Sequence, residues 1–158
     1  TRVPWGVGQE PARFQIAGWI DENPTAIREE ALAAWVSEGV IEFLGKLEDV
    51  RPALAACAVY VLPSYREGTP RSVLEAMAVG RPIITTDAPG CRETVVDQYN
   101  GVLVPVADAT RLAQAMCGFI ERPERVEAYA RASRQLAEQR FDVRIVNRLI
   151  IQGMGLPC

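Results

Sequence analysis

Apolar residues run through this chain in short blocks set off by Gly, Pro, Asn and Asp, and between the blocks they recur at helical spacing. After a Gly- and Pro-punctuated lead-in from Thr1 to Pro11, Phe14-Gln15-Ile16-Ala17-Gly18-Trp19 reads as a short buried strand. Asn23-Pro24 then predicts the cap and first residue of a helix through Trp35, with Ile27, Ala31, Leu32 and Trp35 on its inner side and Gly39 as its stop. Val40 to Leu44 predicts the next strand, Gly45-Lys46-Leu47 its exit turn, and Asp49 to Ala56 a short helix leading into a strand from Ala58 to Leu62. Strand and helix alternating in this way predict an α/β chain with a parallel sheet and right-handed crossovers.

The next crossing organises the rest. The strand stops at Pro63, and Ser64-Tyr65-Arg66-Glu67-Gly68-Thr69 leads to Pro70 as the first helical residue, with Thr69 as its cap. The N–H groups of Arg71, Ser72 and Val73 would then be free to meet an anion above the strand ends. Gly80 stops the helix, Pro82 to Thr86 forms a strand, and Asp87-Ala88-Pro89-Gly90 opens a helix from Cys91 to Val96. Asn100-Gly101 turns the chain into a strand from Val102 to Val104. Asp108 caps a helix to about Glu121, with Leu112, Ala115, Met116 and Phe119 spaced for burial. Pro123 starts another that carries Val126, Tyr129 and Ala130, and Asp142 caps a last one with Ile145, Val146 and Leu149. With no repeat, linker or low-complexity segment, residues 1–158 read as one domain.

Two carboxylates bracket the crossing. Glu67 falls in its loop beside Gly68, which admits close approach to the backbone. Glu75 falls in the second helical turn among Val73, Leu74, Ala76, Met77, Ala78 and Val79, where a charge calls for a specific partner. That partner is either a ligand or Arg71, four residues earlier. Ligands of open parallel sheets sit beyond the carboxyl ends of the strands, and the exits Gly45 to Leu47, Ser64 to Thr69 and Asp87 to Gly90 share that edge by construction. A dinucleotide site of the G-x-G-x-x-G type finds no counterpart at Gly18-Trp19-Ile20-Asp21.

Composition narrows the chemistry. The chain is 49% hydrophobic over 158 residues, enough for a continuous core, and its formal charge of -3 with no basic stripe speaks against a nucleic-acid partner. Lys46 is the only lysine, and there is no histidine, which removes the commonest general base and metal ligand. Cys57, Cys91, Cys117 and Cys158 lack any Cys-x-x-Cys spacing and read as buried or idle thiols of a reducing cytosol. The longest apolar run, Ala53 to Leu62, is about half of the ~20 residues that span a bilayer. With no signal peptide at Thr1 and no initiator Met, the chain is expected to be an excised fragment.

The pair Glu67 and Glu75, in the pattern E-x7-E, stands within Leu62-Pro63-Ser64-Tyr65-Arg66-Glu67-Gly68-Thr69-Pro70 and Leu74-Glu75-Ala76-Met77-Ala78. Phe43-Leu44-Gly45, Gly80-Arg81-Pro82-Ile83-Ile84, Gly90-Cys91-Arg92-Glu93 and Asn100-Gly101-Val102-Leu103-Val104-Pro105 complete five ordered pieces. Together they resemble the retaining glycosyltransferases of family 4 (group 1), whose GT-B fold sets two Rossmann-like halves across a cleft. The resemblance implies the C-terminal half, a Rossmann-like parallel sheet flanked by helices that holds a nucleotide-sugar donor. Its first strand and helix, with the Arg and Lys that clamp the diphosphate, and the acceptor half would lie upstream of Thr1.

By that resemblance Glu67 is the catalytic residue, binding sugar hydroxyls or stabilising positive charge at the anomeric carbon, and Glu75 takes the ribose hydroxyls. The amides of Ser72 and Val73 would hold the diphosphate, while Gly68, Thr69, Pro70 (through its carbonyl) and Arg71 would line the sugar. Gly45, Lys46 and Leu47 would meet the base, with a solvated surface role the alternative for Lys46 and a structural turn the alternative for Gly90 to Glu93. The implied reaction is transfer with retention from a UDP-sugar, without a metal or other cofactor, to a glycan or polyprenyl-linked lipid acceptor of lipopolysaccharide or O-antigen assembly. It places the whole protein in the bacterial cytoplasm, peripheral at the inner-membrane face, and leaves the fragment inactive by itself. A GT-B sugar-nucleotide epimerase or a non-catalytic nucleotide-binding domain is the alternative, the epimerase weakened by the missing histidine.

Overall fold

The computed structural model describes residues 12–21, 23 and 26–155, in two compact units, Thr1–Val50 and Arg51–Cys158. In the first, strand β1 (Gln15–Ala17) pairs in parallel with β2 (Glu42–Gly45), joined by helix α1 (Glu29–Ser37). The register shifts between Ile16 and Ala17, where the chain turns through Gly18 at φ +149°. The strand is shorter and more exposed than its apolar pattern suggests, with only Ile16 half-buried.

Helix α1 also begins later than Asn23-Pro24. The Asn23 carbonyl closes a turn onto the Ala26 amide at 2.8 Å, and Arg28 at ψ 145° is the residue that enters the helix. Pro24 lies outside the described residues. Leu32 is buried as expected, whereas Ile27, ahead of the helix, is 50% exposed. The predicted stop holds: Gly39 takes φ +67°, with its amide on the Val36 carbonyl and the Val40 amide on that of Trp35, which satisfies carbonyls that the helix end would orphan.

The second unit carries α2 (Arg51–Ala56), β3 (Tyr60–Leu62), α3 (Arg71–Ala78), β4 (Ile83–Thr86), a 3₁₀ turn (Arg92–Thr94), β5 (Gly101–Val104), α4 (Ala109–Glu121), α5 (Glu124–Arg140) and α6 (Val143–Gly153). Its sheet runs β3-β4-β5, parallel throughout. Parallel strands with crossover helices are thus present as expected, in a two-stranded and a three-stranded sheet. Every residue of the central strand β4 is buried, the condition of a strand flanked on both edges and covered on both faces. Ile84 joins Val104, Phe119 and Tyr129 in a core to which Leu112, Ala115, Met116 and Val126 add their partly buried side chains. The Phe119 and Tyr129 rings meet edge-to-face, 5.5 Å between centroids.

Asp108 and Asp142 cap α4 and α6 as read, accepting the Arg111 and Arg144 amides at 2.9 and 2.8 Å. On α6, Ile145 and Val146 turn inward, but Leu149 is 62% exposed. The expected helix from Cys91 to Val96 shrinks to one 3₁₀ turn because buried Asn100 reaches back: its Oδ1 accepts the Val96 amide at 2.7 Å and its Nδ2 donates to the Thr94 carbonyl at 3.2 Å. Ser133 on α5 donates to the Asn100 carbonyl, tying this turn to the helical layer. Among the described residues no helix is long and apolar enough to cross a membrane.

Asn100→Ala strips partners from buried groups on both sides of the turn. It should lower the stability of the chain by about 2–3 kcal/mol in urea unfolding, against less than about 0.5 kcal/mol for a surface exchange such as Arg122→Ala.

Candidate functional site

The segment between β3 and α3 is fastened to β4 before it reaches Glu67. Thr85 and Thr86, polar yet fully buried at the end of β4, turn their hydroxyls onto backbone: Thr85 donates to the Leu62 carbonyl at 2.8 Å, Thr86 to that of Ser64. Ser64 in turn donates its hydroxyl to Glu67 Oε1 at 2.7 Å, and the Glu67 amide donates to the Pro89 carbonyl at 3.1 Å. Gly90, at φ +85°, lies against the same loop so closely that a Cβ there would stand 1.8 Å from the Gly68 carbonyl oxygen and 2.3 Å from that of Glu67. Only glycine allows this approach. The exits of β3 and β4 therefore do come together, and Gly90 forms the structural turn at their meeting point. Arg92 secures the same exit by bonding Asp87 through its carboxylate at 2.9 Å and its carbonyl at 2.8 Å.

Helix α3 opens one residue later than read. Pro70 keeps the φ of -69° that its ring imposes, but its ψ of 109° is extended, so it is the cap and Thr69, exposed, caps nothing. Its carbonyl accepts the Val73 and Leu74 amides at 3.1 and 3.2 Å. Two expectations change: the Val73 amide and the Pro70 carbonyl are committed to each other, and the amides outside the helical ladder are those of Arg71 and Ser72. Gly68 and Thr69 stand exposed just before them.

Glu75 needs no buried partner. The helical period sends Val73, Ala76 and Met77 into the core and leaves Arg71 and Glu75 on the exposed side, where among the described residues the two form no ion pair. Both acids bear on Tyr60, half-buried at the start of β3. Burial pushes its phenol above the ordinary 10.0, the Ser72 side chain opposes that rise, and the negative charges of Glu75, Cys57 and Glu67 add to it.

Gly45, Lys46 and Leu47 belong to the other unit, at the end of β2. The Gly45 carbonyl accepts the Gly18 amide at 2.9 Å, and exposed Lys46 sets its Nζ 5.6 Å from the centre of the Trp19 ring. Cys57 is half-buried and Cys91 buried, with burial raising the Cys57 thiol, and Cys158 lies outside the described residues. Among the described residues no three Cys, Asp or Glu side chains gather as a metal site.

Sequence reasoning passed over the groups that hold Glu67: Ser64, Thr86, Pro89 and Gly90. The one local signal was a hydroxyl three residues before the acid. Two threonines ending an apolar strand were the other.

A family model described as "Glycosyl transferases, group 1" matches residues 6–122. Over 113 residues the chain is 35% identical to the N,N'-diacetylbacillosaminyl-diphospho-undecaprenol alpha-1,3-N-acetylgalactosaminyltransferase of Campylobacter jejuni, covering 72% of this chain and 29% of that protein. Over 148 residues it is 32% identical to the putative colanic acid biosynthesis glycosyltransferase WcaL of Escherichia coli, covering 86% and 35%. The crystal structure of Anabaena HepE in complex with UDP superposes with a TM-score of 0.81 at 26% identity, over 91% of this chain and 41% of that one. The chain therefore spans about a third of the length of the two curated relatives.

Tyr60 gives a pH prediction. The native state keeps the phenolic proton to higher pH than the unfolded chain, so above about pH 10 it binds more protons and stability falls as pH rises. Absorbance titration should show a phenol that ionises above the ordinary range, and Tyr60→Phe should remove that high-pH component. A high-pH component that persists in Tyr60→Phe would contradict the raised phenol.

Proposed function

The chain belongs to the group 1 glycosyltransferases, and on that premise we propose that it is the C-terminal, donor-binding half of a retaining enzyme that takes a UDP-sugar. The acceptor in this reading is a polyprenyl-linked or other surface glycan of a bacterium, met by an acceptor-binding half at the cytoplasmic face of the inner membrane. Two comparisons support the ligand classes: the HepE structure holds UDP, and the Campylobacter relative is named for N-acetylgalactosaminyl transfer to a diphospho-undecaprenol-linked sugar.

The observation that carries the proposal is the acid-flanked crossing from β3 to α3, with two amides at the helix start outside the ladder and Glu67 held beside them. A diphosphate bears the most negative charge of the donor, and it gains as the leaving group departs. The amino end of α3 meets that charge with the Arg71 and Ser72 amides and with the helix dipole, stabilising departure without a metal. Glu75, exposed one turn further in, accepts both ribose hydroxyls, a task suited to a free carboxylate. Gly68 and Thr69 offer backbone amides to the sugar, and Glu67 accepts from a sugar hydroxyl or faces the positive charge that grows at the anomeric carbon.

In the intact protein, UDP release from UDP-N-acetylgalactosamine, UDP-N-acetylglucosamine and UDP-glucose should select one donor and persist in EDTA. Glu75→Gln should weaken UDP binding about 10- to 100-fold in calorimetry, the range for a charged hydrogen bond lost. Glu67→Gln should leave UDP affinity within about 2-fold while slowing turnover about 10²-fold. UDP affinity unmoved by Glu75→Gln would remove the ribose role, and donor turnover by the isolated chain would remove the assignment as a half-enzyme.

A further inference from the structure

We infer that Ser64 is the positioning residue of Glu67: its hydroxyl fixes which carboxylate oxygen faces the donor. The inference rests on the role proposed for Glu67 above. The Ser64 hydroxyl donates to Glu67 Oε1 at 2.7 Å, a well-formed O–H···O hydrogen bond. Oε1 is thereby committed, while Oε2 takes no hydrogen bond from the described residues. A carboxylate otherwise turns about its terminal bond within a broad well, so a single short tether is what separates one defined acceptor from two interchangeable ones.

Ser64 can do this because it is itself immobilised. Its carbonyl accepts the hydroxyl of Thr86, which is 2% exposed at the end of the central strand β4. The Glu67 backbone is held independently by the Pro89 carbonyl and by the close approach of Gly90. Backbone and side chain of Glu67 thus have separate supports, and removing the hydroxyl should free the carboxylate while the loop stays in place. Arg66 and Arg71, the charged neighbours on either side of Glu67 in this stretch, are exposed and form no ion pair with it among the described residues. No other side chain of the described residues restrains the acid.

The test uses the intact protein with the UDP-sugar selected above, reading kcat and KM for UDP release in Ser64→Ala, Ser64→Thr, Glu67→Gln and the double variant Ser64→Ala/Glu67→Gln. Ser64→Ala should lower kcat about 10²-fold with donor KM within about 2-fold, the pattern of a misplaced reacting group rather than a lost binding contact. Ser64→Thr, which keeps the hydroxyl, should restore kcat to within about 3-fold of the parent, and the melting temperature of Ser64→Ala should stay within about 2 °C. In the Glu67→Gln background, Ser64→Ala should cost nothing further, because a positioning residue acts only through the group it positions.

Undiminished kcat in Ser64→Ala, an equal loss in Ser64→Thr, or a full additional loss in the double variant would overturn the inference and leave Glu67 its role. Full activity of Glu67→Gln, or no UDP release from any of the three donors, would overturn the underlying assignment, and with it this inference.

Discussion

Two backbones pressed together set the geometry of this site. The Glu67–Gly68 carbonyls occupy the space where any side chain at position 90 would begin, and the Glu67 amide closes the contact onto Pro89. Overlap of a carbon with backbone oxygens at such distances has no cheap relief, because neither partner is the flexible end of a side chain. A requirement at one residue therefore fixes the loop between β3 and α3, and through it the entry of α3 and the place of the acid before it. Thr85 and Thr86 add hydrogen bonds from the buried strand to the same segment. In a core strand these hydroxyls would cost free energy unpaired, so their pairing with Leu62 and Ser64 serves stability and position together.

From that anchored loop the chemical groups follow by helical geometry. Pro70 ends the extended segment and begins the helix without supplying a donor, its carbonyl gathers the Val73 and Leu74 amides, and the two preceding amides are left over. The same helix turns Val73, Ala76 and Met77 inward and is closed by Gly80, whose amide meets the Met77 carbonyl while that of Arg81 meets Ala76. Glu75 is carried on the outer side by the period alone. The scaffold invests its packing in α3 and its hydrogen bonds in the loop, which suits a site where one acid must be oriented and the other left free to accept a ligand.

Short-range chemistry was legible in the sequence, as was the meeting of the β3 and β4 exits at one sheet edge, but the contacts made there were not. The caps at Asp108 and Asp142 and the stops at Gly39 and Gly80 declare themselves because the cap residue and its partner lie within a few positions. The family resemblance was also carried by consecutive residues, and the match over residues 6–122 bears it out. The turn after Cys91 misled because its decisive group, the Asn100 side chain, comes from beyond the segment and takes the Val96 amide away from helix. Glu75 stands among apolar residues in sequence, but the helix turns Val73, Ala76 and Met77 inward and leaves Glu75 exposed. The start of α3 shifted by one residue through the ψ of Pro70, which the fixed ring does not dictate. What held Glu67 stayed hidden because Pro89 and Gly90 lie in a different crossover, brought alongside only when β3 and β4 pair.

The most direct measurement is amide hydrogen exchange, resolved by residue, on Gly90→Ala beside the parent chain. Faster exchange at Glu67, whose amide bonds Pro89, with protection kept along the buried strand Ile83–Thr86, is the result expected if this backbone contact holds the site in place. Unchanged protection at Glu67 in the variant would contradict it, because the loop would then keep its position without the contact from which the site is built.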